Sequence, residues 1–551
     1  MKQKDAMSTI VWRFINIVAS KYEMTGKSVC IIGAGVSGLV AIKACLEEKL
    51  QVTCYEQHDK LGGVWYYTEE VRPNQGPSAY ATLVTNSSKD MMAFSDYPMP
   101  PQYPPYLPWE KFTEYLQNYA DHFNLAKHIT FNTKVVSVDP VEDKEGRWKV
   151  CVSNGDSKSE FETKFFDHVI VCAGFFKNPV IPEIPGLQNF KGKVMHTHSY
   201  RSPEVFKDKT VLVIGNANSA SDAATDAATY AKKAYVSIGD GTWVLSRSAQ
   251  QGLPRDFMLR RVLMNFAPQS VVSRILMKDC NTRFNHEAFG LQSTQRPMYG
   301  SAVMVNDEIS YKIISGKLQV KATVVEFTEH GVKLEDGSTL DGIDMVCFAT
   351  GFKVDFSFMN EQILKVTNKE INLYKMVWPI EQRVPSIAVV GCFSTVGAHT
   401  PIMELQSYWA ARVFSGKCKL PPKTDMKKWI DETIETQIKN YGKLKIKLHQ
   451  LPYRDSIAEE IGALPNIKSL LLRDPAMAMR CFFGPAFPYQ YRLTGPLAID
   501  AARDYCINAY DNTVNATKTR IARTKPGSGN VGLILFIFLA IIAVILAILI
   551  R

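Results

Sequence analysis

Gly33, Gly35 and Gly38 stand between an apolar strand and a helical pattern in "SVCIIGAGVSGLVAIKACLEEKLQVTCYE", the spacing that holds a dinucleotide phosphate. Gly33 suits the tight turn, Gly35 the close approach of backbone to a pyrophosphate, and Gly38 tight helix–strand packing. Ala34, Val36 and Ser37 complete the turn, and the helix N-terminus behind them favours an anion. The next strand, "QVTCY", ends on Glu56, whose carboxylate can take both ribose hydroxyls of an adenosine. Downstream, "KLGGVWYY" lets the chain pass close to a large planar ligand at Gly62 and Gly63, with Val64 and the flat apolar face of Trp65 beside it. That position, soon after the acid, favours FAD over NAD in this first site.

Strand, turn and Ala-rich helix recur in "KTVLVIGNANSASDAATDAATYAKKAYVSI", with the spacing Gly215-x-Ala217-x-x-Ala220. The methyl of Ala217 stands where backbone should meet phosphate, so this motif is the weaker of the two. Ser219, Ser221 and Asp222 begin the helix, where hydroxyls and backbone N–H groups can make up contacts. Just ahead of this module lies "FKGKVMHTHSY". Its His196 and His198 have no nearby cluster of Cys, Asp or Glu to supply a third and fourth ligand, so no metal is expected.

Positioning these residues takes two βαβ units. Two further apolar strands, in "FDHVIVCAGFFKNP" (166–179) and "IDMVCFATGFKVDF" (343–356), end at small residues. Such returns beside two nucleotide modules predict that the chain leaves one domain, builds the other and comes back. The expected fold class is therefore α/β: two nested Rossmann-like dinucleotide-binding domains, a helical C-terminal region and a C-terminal transmembrane helix. The expected boundaries are an N-terminal extension (1–26), the first domain in two parts (27–178 and 336–450) and the second at 179–335. A helical region (451–510), a linker (511–530) and an anchor (531–550) follow. Residues 240–310 read as an irregular, helical insertion, 317–338 as antiparallel strands and 423–467 as amphipathic helix.

At 551 residues, with 46% hydrophobic and 21% charged, the chain suits a multidomain globular protein with little disorder. The net charge of +10 is spread out, and no basic stripe interleaved with aromatics appears, so nucleic acid is not an expected partner. Eleven cysteines, none in a C-x-x-C pair, suit a reducing compartment and argue against a dithiol reductase. Residues 531–550, "VGLILFIFLAIIAVILAILI", form an uncharged run long enough to cross about 30 Å of hydrocarbon as a helix. Lys518, Arg520, Arg523 and Lys525 precede it, and the positive-inside bias puts the folded mass in the cytosol. The segment "STIVWRFINIVAS" near the N-terminus is too short and too interrupted by Arg13 for a signal peptide.

The stretch between the modules fits F-x-G-x-x-x-H-x-x-x-[FY] at Phe190, Gly192, His196 and Tyr200, and in this it resembles the identifying sequence of flavin-containing monooxygenases. "TNSSKDMMAFSDYPMP", "NHEAFGL", "FATGF", "GAHTPIMELQSYWAARVF", "LPYRDSIAEEIGALPNI" and "FFGPAFPYQYRLTGP" are similar to that family's segments, in the family's order. The C-terminal apolar run resembles the anchor of its membrane-bound animal members. The resemblance implies FAD and NADPH as cofactors. Reduced flavin would take up O₂ to form a C4a-hydroperoxide that oxygenates soft nucleophiles, amines and sulfides, of small lipophilic substrates. Baeyer–Villiger oxygenation of ketones and net NADPH oxidation to H₂O₂ use the same intermediate and stay open; a membrane-tethered flavin-binding sensor is the alternative without catalysis.

The resemblance also assigns roles. Asn86 in "TNSS" would lie between flavin and nicotinamide and donate to charge developing on oxygen, with Thr85 and Ser87 beside it. The sequons at Asn86 and Asn515 would never meet the glycosylation machinery on a cytosolic domain. Phe190, Gly192, His196 and Tyr200 would form a joint between nucleotide domains. The protein would sit in the endoplasmic reticulum membrane as a single-pass protein facing the cytosol, and a homo-oligomer is left open. One departure stands out: where the family usually has an arginine to clamp the 2′-phosphate of NADPH, this chain has Gly239 and Asp240. Arg247, Lys232 or Lys233 are the candidates to replace it, and NADH is the alternative coenzyme.

Overall fold

The computed structural model describes residues 26–520, apart from 72–75, 143–145, 155–160, 298–302, 368–369, 443 and 445–446. The N-terminal segment "STIVWRFINIVAS" and the expected transmembrane segment at 531–550 lie outside the described residues; among the described ones no helix is long and apolar enough to cross a membrane.

The chain opens with β1 (Ser28–Ile32), α1 (Val36–Glu47) and β2 (Gln51–Tyr55), followed by β3 (Ile129–Thr130) and β4 (His168–Val171). Strand β1 is buried from Val29 onward and β4 throughout, as continuous apolar runs must be when a parallel sheet is covered on both faces. An antiparallel three-stranded sheet (Thr133–Pro140, Trp148–Asn154, Phe161–Phe166) is inserted before β4. The chain then crosses to a second module: β5 (Lys193–His196), β6 (Thr210–Ile214), α2 (Asn218–Tyr230), β7 (Lys233–Ser237), α3 (Arg261–Phe266), α4 (Gln269–Arg283), β8 (Leu318–Lys321) and β9 (Met345–Phe348). It returns through β10 (Ile387–Val389), α5 (Thr400–Phe414), α6 (Lys423–Tyr441) and α7 (Gln450–Glu460). Both five-stranded sheets are parallel, in the orders β10-β4-β1-β2-β3 and β8-β7-β6-β9-β5.

The nesting is present, but its second boundary falls later than residue 335. Strand β9 pairs in register with β6, Val211 against Met345, so the second module runs at least to Phe348 and the first sheet is rejoined only at β10. Of the two similar returning strands, only β4 belongs to the first sheet. Their exits meet: Asn178–Pro179 pairs antiparallel with Phe352–Lys353, forming a two-strand joint between the modules. Two further readings are corrected by hydrogen bonding. Leu318–Lys321 is a parallel strand beside β7, and only Val324–Phe327, Gly331–Leu334 and Thr339–Asp341 are antiparallel. The amphipathic stretch at 423–467 is not one helix: α6 ends at Gly442, whose backbone is left-handed with a φ of 66°, and α7 begins at Gln450.

The C-terminal region is pinned to the first module by buried polar contacts. Tyr489 and Thr513 donate to the two oxygens of Asp90 at 2.8 and 2.6 Å, and Arg492 Nη2 donates to Asp96 Oδ2 at 2.7 Å. These anchors hold the segment that directly follows Asn86.

Candidate active site

Each nucleotide turn is built by the same backbone bond. Gly33 N–H donates to Tyr55 O at 2.8 Å and Gly215 N–H to Ser237 O at 3.1 Å, which fixes each turn over the end of the neighbouring strand. In the first module a Cβ on Gly38 would lie 1.9 Å from Gly33 O, so the helix approaches the strand as only glycine allows. In the second, a Cβ on Gly215 would come within 3.1 Å of the Ala220 methyl and 2.6 Å of Ala349 O. The third position tolerates alanine because Gly215 opposite it has no side chain.

A cavity of about 1570 Å³ starts at the first turn. Of the residues singled out in sequence, Gly33, Gly35, Val36, Ser37, Glu56, Gly63, Val64, Trp65, Thr85, Asn86, Ser87 and Arg247 all line it. Ala34 is buried behind it; its N–H donates to Glu56 Oε2 at 2.7 Å, and His58 N–H donates to Glu56 Oε1 at 2.9 Å, which aims the carboxylate at the end of β2. Gly35 and Gly62 form a backbone bridge, so the glycine turn and the "LGGVW" segment lie side by side along one wall. A long ligand with a pyrophosphate in the turn and a ribose near Glu56 fits this groove, as FAD requires.

The segment Thr85–Ser88 is fixed from several sides. Thr85 Oγ1 accepts from Leu107 N–H at 2.9 Å. Asp256 takes both the N–H and the hydroxyl of Ser88, at 2.7 and 2.8 Å. Arg247 donates from Nε to Thr85 O at 3.0 Å and from Nη2 to Asn86 Oδ1 at 2.9 Å, and is itself paired with Asp307 at 3.1 Å. Burial raises the Asp256 carboxyl to about 6, partly offset by the Ser88 contacts. His399, also on the cavity wall, is lowered to about 4 by burial and is neutral. Asp256 and Asp307 are isolated side chains without a motif, and His399, although it lies in "GAHTPIMELQSYWAARVF", is given no role by the sequence.

The second module's residues are placed differently. Gly215, Ser219, Ala220, Ser221 and Asp222 do not line the cavity; Asn218, at the start of α2, does. Ser221 Oγ donates to Asn218 O at 2.8 Å, and Asp222 is held by the Tyr80 hydroxyl and by Asn306 at 3.0 Å, so it ties the two modules together. The α2 N-terminus is open, with Ala217, Asn218 and Ser219 exposed, and the phosphates of a nicotinamide dinucleotide held there would lead past Asn218 and Arg247 to Asn86. Lys232 and Lys233 lie at the amino end of β7, opposite to Gly239, and so cannot stand in for a phosphate-clamping arginine.

The stretch around His196 forms the edge strand of the second sheet and the turn that follows it. Gly192 is required because a Cβ there would lie 2.5 Å from the Phe190 ring and 2.8 Å from Asp344 O. His196 closes β5; its Nδ1 accepts from His198 N–H at 3.0 Å, its ring meets Phe352 edge-on at 5.2 Å, and burial lowers it to about 4. Tyr200 donates to Asp226 on α2 at 2.6 Å. Among the described residues no cluster could hold a metal ion.

Residues 26–551 match the family described as flavin-binding monooxygenase-like. Flavin-containing monooxygenase 1 of Rattus norvegicus is 40% identical over 531 residues, covering 94% of this chain and 99% of its own. Dimethylaniline monooxygenase [N-oxide-forming] 4 of Homo sapiens is 39% identical over 516 residues, 91% of each chain. Among solved structures, S-allyl-L-cysteine S-oxygenase from Allium sativum aligns with a TM-score of 0.61 at 25% identity, covering 88% of this chain and 99% of that one. Cyclohexanone monooxygenase from Rhodococcus sp. Phi1 bound to NADP⁺ shares the fold, with a TM-score of 0.58 at 17% identity over 80% of this chain and 98% of its own. With its two nucleotide turns, one continuous cavity and this likeness along nearly the whole sequence, the chain belongs to the flavin-binding monooxygenase-like family.

Proposed function

We propose that this chain is an FAD- and NADPH-dependent monooxygenase that transfers one oxygen atom of O₂ to the nitrogen or sulfur of small lipophilic substrates. The observation that carries it is the continuity of one cavity from the phosphate turn at Gly33–Gly35, past Glu56, to Asn86 and Arg247. When bound, FAD supplies two-electron reduction by nicotinamide and reaction with O₂, chemistry that no side chain here provides.

The residues do the rest. The turn and the α1 N-terminus receive the pyrophosphate, and Glu56 retains lone pairs for ribose hydroxyls. Because Asn86 Oδ1 is occupied by Arg247, the Asn86 amide can present its N–H groups as donors to an oxygen gaining charge. Apolar side chains of the insertion, Met258, Leu263, Met264, Val272 and Leu276, line the cavity and limit water there. Nitrogen or sulfur acceptors are favoured by the relatives named for N-oxide formation and S-oxygenation. The likeness to a cyclohexanone monooxygenase is one of fold and does not move the proposal toward ketones.

The test is anaerobic bleaching of the bound flavin by NADPH, followed by product analysis in air on a sulfide, a tertiary amine and a ketone. Sulfoxide or N-oxide in proportion to NADPH used supports the proposal; H₂O₂ alone, or lactone or ester from the ketone alone, overturns it. For location, the proposal is the endoplasmic reticulum membrane, with residues 531–550 as anchor and the folded domain in the cytosol; the uncharged run and the basic residues before it support this.

A further inference from the structure

The residues after β7 differ in kind from those after β2, although both strands stand in the same place within their modules. Matching the bonds Gly33 N–H to Tyr55 O and Gly215 N–H to Ser237 O sets Ile238 opposite Glu56, and Gly239 and Asp240 opposite Gln57 and His58. This edge is where a Rossmann module meets the adenosine ribose: a carboxylate there binds a free 2′-hydroxyl, whereas a 2′-phosphate calls for a guanidinium or ammonium. Ile238 is buried and apolar. Gly239 and Asp240 are exposed, and a Cβ on Gly239 would meet only Thr323 Oγ1, at 3.8 Å. Asp240 is therefore the charged side chain this loop itself offers to the ribose edge.

The nearby cations are otherwise placed. Lys232 and Lys233 lie at the far end of β7. Arg247 is committed to Asn86, to the carbonyls of Val84 and Thr85, and to Asp307. Lys321, which ends the adjacent strand β8, lies over the Tyr235 ring at 5.5 Å. It pairs with Ser237 in the sheet and is the cation whose removal the test must include.

We infer that the second module does not clamp a 2′-phosphate: Asp240 takes the free ribose hydroxyls of NADH, and NADH binds with an affinity comparable to that of NADPH. This rests on the monooxygenase reading only for the identity of the ligand class, and it is tested by binding alone. The FAD-loaded, full-length protein is titrated with NADP⁺ and with NAD⁺, followed by calorimetry. The expected result is dissociation constants within about tenfold of each other. Gly239→Arg should tighten NADP⁺ by about 10- to 150-fold, the range of one new charge-assisted contact, and leave NAD⁺ unchanged. Asp240→Asn should weaken NAD⁺ while leaving NADP⁺ equal or tighter. A wild-type preference for NADP⁺ above about 100-fold overturns the inference, as does a loss of NADP⁺ binding in Lys321→Ala with NAD⁺ unaffected, or no binding of either nucleotide. A protein that binds both nucleotides yet oxygenates nothing would sink the proposed function and leave this inference standing.

Discussion

Arg247 Nη2 donates to Asn86 Oδ1 at 2.9 Å, joining two residues 161 positions apart, one in the first module and one in the insertion of the second. The same guanidinium holds Thr85 O and Asp307, so the amide of Asn86 is set by a side chain that is itself fixed on three sides. Removing it should let the amide turn and present its oxygen where a donor is needed. Arg247→Ala is expected to keep its flavin and to lower product formed per NADPH consumed by about tenfold or more, with H₂O₂ rising in step. Arg247→Lys should recover only part of this, because an ammonium cannot reproduce the planar fork that reaches Asn86 and Asp307 together. Full coupling in Arg247→Ala would show that Asn86 is oriented without it.

The first turn makes a two-part prediction about glycine. At Gly38 an added methyl would lie 1.9 Å from Gly33 O, so Gly38→Ala must push α1 away from β1. Loss of flavin and a marked fall in the melting temperature of the flavin-free protein are expected together. At Gly35 the added methyl would sit 3.4 Å from Gly63 Cα, a contact the fold can accept, while intruding on the space for phosphate. Gly35→Ala should therefore fold with little change in melting temperature and bind FAD more weakly, read as the ratio of flavin to protein absorbance. Equal flavin content in Gly35→Ala and wild type would remove the pyrophosphate from this turn.

If residues 531–550 anchor the protein, deleting residues 531–551 should move it from the membrane pellet to the supernatant, since about 20 apolar residues supply most of the insertion energy. Flavin reduction by NADPH in the soluble form should match that of the full chain. Retention of the truncated protein in the pellet would assign attachment to another part of the chain.

The first module was legible because its requirements are local. Glycines at fixed spacing, an apolar strand on either side and an acid at the end of the next strand all fall within 29 residues, Ser28 to Glu56. Asn86 and Arg247 were each singled out, but their partnership was hidden, because it depends on the insertion folding back over the first module. Asp256 carried no signal: one aspartate in an irregular stretch is indistinguishable from a solvated one until Ser88 is seen against it. The misplaced boundary at 335 has a similar cause. "VIVCAG" and "MVCFATG" are both buried strands ending in small residues, and only hydrogen bonding assigns them to different sheets. Lys232 and Lys233 were near Gly239 in sequence and a strand's length away in space.

Asp256 gives the pH prediction, and its sign follows from burial. The carboxyl is raised from 3.8 to about 6 because desolvation disfavours the charged form more than the two Ser88 contacts favour it. A carboxyl whose folded value exceeds its unfolded one adds stability that is full below 3.8 and is lost as pH rises through about 6. The difference corresponds to at most about 3 kcal/mol between pH 3.5 and pH 7. Asp256→Asn cannot ionise, and its side-chain oxygen can still accept from Ser88 N–H while Ser88 Oγ turns to accept from the new amide. The melting temperature of the variant relative to wild type should therefore climb between pH 4 and pH 7, by several degrees for the whole range. A difference that stays flat across this range would mean that Asp256 ionises in the folded protein as it does in the unfolded chain. A falling difference would mean that its charge is stabilised there, with the Ser88 contacts outweighing burial.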